Sequence, residues 1–225
     1  CFCFLVQELQ MKIFINLKFF KMRIALFLVL FALNANAQDT IVFPKIDTFK
    51  RNIIEVSYGI SLGDLANKYE STINSAAYFR TKIAKKQFVD FGLELSGVVQ
   101  GNDINYKFNG ENVILDGSKS AFLLGLRYTR FLYQSKSENF HIESNSGLGW
   151  KYLHYSKPEN EKYKEIDLSP SVNTIAITQG IKIMYYGFGV FCSYQYAPYN
   201  LFNSKIEDHF GAESINFGIS GSCNF

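Results

Sequence analysis

The stretch SINFGISGSCNF, residues 214–225, decides the fold. Every second residue is apolar or small (Ile215, Phe217, Ile219, Gly221, Cys223, Phe225), and Ser214, Asn216, Gly218, Ser220, Ser222 and Asn224 lie between them. Successive side chains of a strand point to opposite faces, so this period of two describes a β-strand with one greasy face and one small, polar face. The same period recurs upstream seven times.

Residues 53–62 set Ile54, Val56, Tyr58, Ile60 and Leu62 against Glu55, Ser57, Gly59 and Ser61. Residues 73–84 place Ile73, Ala77, Phe79 and Ile83 opposite Tyr78, Arg80 and Lys82. Residues 88–99 place Val89, Phe91, Leu93, Leu95 and Val99 opposite Asp90, Glu94 and Ser96. In 120–132, Phe122, Leu124, Leu126 and Tyr128 oppose Gly125, Arg127 and Thr129. In 139–153, Phe140, Ile142, Leu148, Trp150 and Tyr152 oppose His141, Glu143, Asn145 and Lys151. Residues 172–183 oppose Ile175, Ile177, Ile181 and Ile183 to Thr174, Thr178 and Lys182, and 186–196 oppose Phe188, Val190, Cys192, Tyr194 and Tyr196 to Gly187, Gly189, Ser193 and Gln195. With 214–225 the count is eight.

The connections alternate as regularly as the residues. Links at 85–87, 133–138 and 184–185 are short, whereas QGNDINYKFNGENVILDGSK, YSKPENEKYKEIDLS and APYNLFNSKIEDHFGAE are long and polar. A chain meandering between one smooth rim and one loop-rich rim has this rhythm. Composition agrees: 22 Phe and 14 Tyr against 4 Pro among 225 residues favour pleated surfaces over helices.

The segment ahead of the strands has a different character. Lys12, Lys18, Lys21 and Arg23 precede the apolar run 24–33, followed by Ala35-Asn36-Ala37. This is the layout of a secretory signal peptide, cleaved after Ala37, and the run is shorter than the roughly 20 residues a spanning helix needs. Residues 1–37 are therefore read as a leader, starting at Met11 or Met22, with CFCFLVQELQ as an upstream extension. Residues 38–52 form a periplasmic segment and 53–225 the barrel. The leader carries four of the 23 basic residues and one of the 20 acidic ones (Glu8), so the remainder balances at 19 of each sign. A neutral chain lacks the basic footprint of a nucleic-acid binder. Of four cysteines, Cys192 and Cys223 remain, and they read as small hydrophobes on the apolar face.

Two barrels share this alternation, and the contents of the polar face separate them. A water-facing surface has no reason to exclude bulk, but the lumen of an eight-stranded barrel is only wide enough for its own side chains. Here Gly, Ser, Asn and Thr make room for isolated charges of both signs: Glu55, Asp90, Glu94 and Glu143 with Arg80, Lys82, Arg127, Lys151 and Lys182. These nine are the expected interior charge network. The greasy face then meets lipid, with Tyr58, Tyr128, Trp150, Tyr152, Tyr194 and Tyr196 as an aromatic girdle. Strands of about 11 residues tilted near 40° rise about 28 Å, enough for a hydrocarbon band roughly 25 Å tall. The expected fold is all-β: an eight-stranded antiparallel up-and-down transmembrane β-barrel.

The last hairpin carries a family resemblance. GFGVFCSYQYAPYNLF, residues 187–202, followed by SINFGISGSCNF, is similar to the closing hairpin of the small porin-like outer-membrane β-barrel proteins of Bacteroidota-type Gram-negative bacteria. There a Tyr-containing strand leads through a Pro-Leu-Phe-like loop to the final strand; here Tyr199-Asn200 separates Pro198 from Leu201-Phe202. The resemblance implies location in the cell outer membrane. Its implied partners are the lipid bilayer with its lipopolysaccharide and the outer-membrane insertion machinery, for which Phe225 resembles the assembly signal. A monomer is expected.

One stretch resembles a catalytic motif. His154-Tyr155-Ser156 is similar to the His-x-Ser of barrel-type lipid A deacylases, in which the His is base to the Ser, and Glu165 would orient the His. Lys157 stands where that family usually has Asn, and strand parity puts His154 and Ser156 on the lipid face. His141 and Glu143 face inward without an evident third metal ligand, so a hydrogen bond is the plain reading. Asp90 and Glu94 are roughly 13 Å apart along a strand, too far for paired-carboxylate catalysis, and are expected to pair with Arg80 or Arg127. His209 has no nameable partner. No cofactor and no metal are expected. The leading expectation is a non-enzymatic envelope protein with a packed polar interior, acting in envelope structure or surface binding through its outer loops. A lipid-modifying hydrolase and a small-solute channel are the alternatives.

Overall fold

A strand with a greasy face and a polar face leaves its edges unpaired unless the sheet closes, and in lipid an unpaired edge is prohibitive. The computed structural model shows how this chain closes. It describes residues 50–108, 111–115, 118–155, 171–202 and 211–224. The chain divides into Cys1–Ile41 and Val42–Phe225, and all the described residues belong to the second unit. The leader assigned to 1–37 lies outside them.

Eight strands form the barrel: β1 (Lys50–Leu62), β2 (Tyr69–Ala84), β3 (Gln87–Gly101), β6 (Ser118–Gln134), β7 (Phe140–Tyr155), β8 (Ser171–Tyr185), β9 (Phe188–Tyr196) and β10 (Glu213–Asn224). Each pairs antiparallel with its chain neighbour in the wall, and β10 closes on β1 with Glu55 opposite Ser220 and Ser57 opposite Gly218. Two short strands, β4 (Ile104–Phe108) and β5 (Glu111–Leu115), form a separate hairpin within the connection from β3 to β6.

Strand ends shift from the sequence reading by one to four residues, and three of these shifts bear on the architecture. β1 starts at Lys50, so the end of the segment read as 38–52 is already wall. β2 starts at Tyr69 rather than 73, directly after a 3₁₀ helix, Gly63–Asn67. The turn expected at 184–185 falls at Tyr186-Gly187 instead, with φ of 48° and 83°. Two consecutive positive φ values make a two-residue turn whose twist matches that of the flanking strands, and Gly takes the second position without strain.

The greasy face is on the outside. Ile54, Phe91, Leu95, Leu126, Leu148, Phe217 and Ile219 are each at least half exposed, while Glu55, Arg80, Asp90, Arg127, Glu143 and Lys182 are buried in the lumen. No soluble protein places its large apolar residues outward and its charges inward over a whole wall. Cys192 and Cys223 are free thiols on the outer face. Among the described residues no helix is long and apolar enough to cross a membrane; the crossing is made by strands. The aromatic girdle extends further than the sequence reading placed it. Tyr133, Tyr185, Tyr186 and Phe188 stand exposed around the smooth rim, opposite Tyr58, Trp150 and Tyr196 towards the loop-rich end.

The lumen is not polar throughout. At the loop-rich end β6, β7 and β8 turn apolar residues inward: Ala121 and Leu123 of β6, Leu153 and Tyr155 of β7, Val172 and Ala176 of β8. Ile104, Val113 and Leu115 of the β4–β5 hairpin, Leu65 of the 3₁₀ helix, and Ala197 and Tyr199 after β9 complete one buried cluster with them. Tyr69 and Tyr199 share a hydrogen bond between their hydroxyls at 3.1 Å, and Thr174 Oγ1 donates to the Pro198 carbonyl at 2.7 Å. The stretch after β9 therefore turns inward, and with the hairpin it stoppers the barrel.

Candidate functional site

Below the stopper, towards the smooth rim, the lumen holds one connected set of charges. Strand pairing brings some partners side by side: Arg80 of β2 lies opposite Asp90 of β3, which lies opposite Arg127 of β6. Arg80 donates from Nε and Nη2 to Asp90 at 2.7 and 3.0 Å, and Arg127 Nε donates to Asp90 Oδ2 at 3.1 Å. Thr129 Oγ1 donates to the same oxygen at 2.9 Å.

The other bonds cross the lumen. Arg80 grips Glu143 of β7 with Nη1 and Nη2 at 2.7 and 3.0 Å, and Arg127 grips Glu55 of β1 with both terminal nitrogens at 3.0 Å. Lys182 of β8 donates to Glu55, and His141 Nε2 bonds to Glu143 Oε1 at 3.0 Å. Since an ionised carboxylate only accepts, Nε2 carries the proton. The Arg127 guanidinium also lies 3.9 Å from the centre of the Tyr78 ring, a cation–π contact. Glu55, Asp90 and Glu143 against Arg80, Arg127 and Lys182 make a set that is internally neutral. Charges taken out of water are tolerable only when paired and hydrogen-bonded in this way.

Three of the nine expected members stand apart from this set. Lys151 is buried but donates to Gln195, not to a carboxylate. Glu94 was expected to meet an arginine; instead its Oε1 has no hydrogen-bond partner. The reason is register: Glu94 lies opposite Ala76 and Leu123, two inward positions nearer the loop-rich end than Asp90, which alone stands in the row with Arg80 and Arg127. Lys82 lies at the smooth rim and lines the mouth of the lumen with Arg51, Lys85 and Lys86.

Glycine makes the room that this set needs. A Cβ on Gly92 would fall 2.2 Å from the Ala77 carbonyl oxygen and 2.4 Å from Tyr78 Cδ1. Gly92→Leu is expected to push Tyr78 out from beneath Arg127 and to cost about 1–3 kcal/mol of stability, read from urea unfolding in lipid vesicles. Between the ion pairs and the stopper remains a cavity of about 20 Å³, bordered by Glu94, Arg127, Gln195 and Asn216. It is the size of a water molecule, not of a solute path.

His154 faces outward and is exposed, in a shallow trough of the outer wall with Gly97, Ser120, Phe122 and Tyr152. Its proposed partners Ser156 and Glu165 lie outside the described residues, as do Phe225 and His209. Among the described residues no three metal-ligating side chains come together, and His141 and Glu143 meet as a hydrogen-bonded pair.

The fold and lumen together define the class: a closed eight-stranded transmembrane β-barrel, apolar outside and ion-paired within. Three solved structures resemble it. Neisserial surface protein A superposes with a TM-score of 0.50 at 7% identity, covering 79% of this chain and 96% of that one. The N-terminal β-barrel domain of OprF from Pseudomonas aeruginosa gives 0.42 at 10% identity, over 77% of this chain and 97% of its own. A major outer membrane protein from Thermus thermophilus gives 0.41 at 10% identity, over 76% of this chain and 99% of its own. No protein-family profile and no curated protein sequence matches the chain.

Proposed function

We propose that the protein is a non-enzymatic barrel of the bacterial outer membrane, with a closed interior, contributing to envelope structure or to binding at the surface through its outer loops. The observation that carries this is the neutral, fully crossed ion-pair set beneath an apolar stopper, which occupies the lumen that a channel would keep open. The barrel's likeness to Neisserial surface protein A supports the fold on which the location rests. The narrower kinship with Bacteroidota-type barrels rests on residues 187–202 and 214–225 alone. Reconstituted into planar bilayers, the mature protein is expected to give no steady conductance step, as a network of about six charges bonded across the lumen leaves no continuous water path. A reproducible open level would make it a small-solute channel.

A further inference from the structure

The stopper closes one end of the barrel only. At the smooth rim the lumen opens as a cavity of about 320 Å³, lined by Arg51, Lys82, Lys85, Lys86, Glu138 and His141. Four cations face one anion there. The ion-paired set beneath is internally neutral, so it does not cancel this excess from below. Lys82, Lys85 and Lys86 make no ion pair among the described residues. The tight turn between β2 and β3 holds the lysines together, with Lys86 at φ 61°. At the base of the cavity His141 is 6% exposed, stacked on Phe131 at 4.3 Å, with Nε2 committed to Glu143. Its Nδ1 is buried and has no hydrogen-bond partner. A volume in the small-ligand range of about 300–1,000 Å³, with convergent cations and one orphaned buried nitrogen, is a binding site without its ligand's charge.

We propose that this mouth binds a phosphate group, with the lysines neutralising its oxygens and His141 Nδ1 accepting a hydrogen bond from a hydroxyl of the phosphate or of the group that carries it. Lysines act as point charges and suit an anion that is not held by a planar fork. Two sources share this chemistry, a free phosphorylated solute and the headgroup of an anionic lipid at the rim. The proposal uses the barrel reading but not the outer loops, so its failure would leave the barrel standing.

The test is calorimetric titration of inorganic pyrophosphate into the folded mature protein in a zwitterionic detergent. Saturable binding is expected, weakened on the order of tenfold by Lys82→Gln/Lys85→Gln/Lys86→Asn and severalfold by His141→Gln. Lys107→Gln, an exposed lysine of β4 at the other end, should leave it unchanged. Asn tolerates the left-handed backbone at position 86, and heat-modified gel mobility verifies folding of each variant. In nanodiscs, competition by phosphatidylglycerol over phosphatidylcholine assigns the site to a lipid headgroup, and no competition assigns it to a free solute. Absence of saturable binding, or equal weakening by Lys107→Gln, overturns the proposal.

Discussion

Leu126→Arg should destabilise the barrel by about 2–4 kcal/mol, the cost of an arginine facing the middle of a bilayer. Leu126 is 55% exposed and halfway along Ser118–Gln134, flanked by Phe91 on β3 and Leu148 on β7. In water, exchanging an exposed leucine for arginine is close to neutral or favourable; in hydrocarbon the guanidinium loses its hydration and must reach for the headgroups. Leu132→Arg, also outward and near the smooth rim, is the control, with an expected cost of about 0–1 kcal/mol because the charge reaches the interface. Urea unfolding from lipid vesicles reads both. If the two variants are equally stable and both match wild type, the outer face does not meet lipid.

Arg127→Leu should cost about 3–5 kcal/mol, the range for removing one partner of a buried ion pair. Arg127 is the hub of the set: it spans from Asp90 to Glu55 and lies over Tyr78. Its loss leaves three buried carboxylates with two cations, and the bidentate grip on Glu55 has no replacement. Arg127→Lys should recover only part of the loss, since an ammonium cannot make the paired bonds to Glu55 and still reach Asp90. Adding Glu55→Leu to Arg127→Leu restores neutrality, so the double variant should be more stable than the sum of the two singles. Additive losses would mean that the two residues do not act as a pair.

The outward and inward faces could be read from the sequence because a strand's period is two and lipid demands apolar side chains on every outward position. Arg80, Asp90 and Arg127 were legible as neighbours for the same reason, as their strands pair in chain order. The bonds across the lumen were not. Glu55 meets Arg127 and Lys182 over a distance set by barrel closure and side-chain length, and alternation carries no information about which charges face each other at one height. The stopper was missed where alternation fails: near the loop-rich end both faces of β6, β7 and β8 are apolar, as with Ala121, Leu123, Leu153 and Val172, and such stretches have no period to read. A local signal for the hairpin was present, since INYKF and ENVIL flank Asn109-Gly110, a dipeptide suited to a tight turn between strands. Taken as part of a long polar loop, it gave no hint that Ile104, Val113 and Leu115 would enter the barrel.

The placement of the wall in lipid is tested most directly at Trp150, the single tryptophan of the chain, which stands 44% exposed on the outer face of β7. Its fluorescence in vesicles should be quenched strongly by lipids brominated along the acyl chain and hardly at all by acrylamide in the aqueous phase. Strong acrylamide quenching with no effect of brominated lipid would place the greasy face in water and contradict the inside-out barrel.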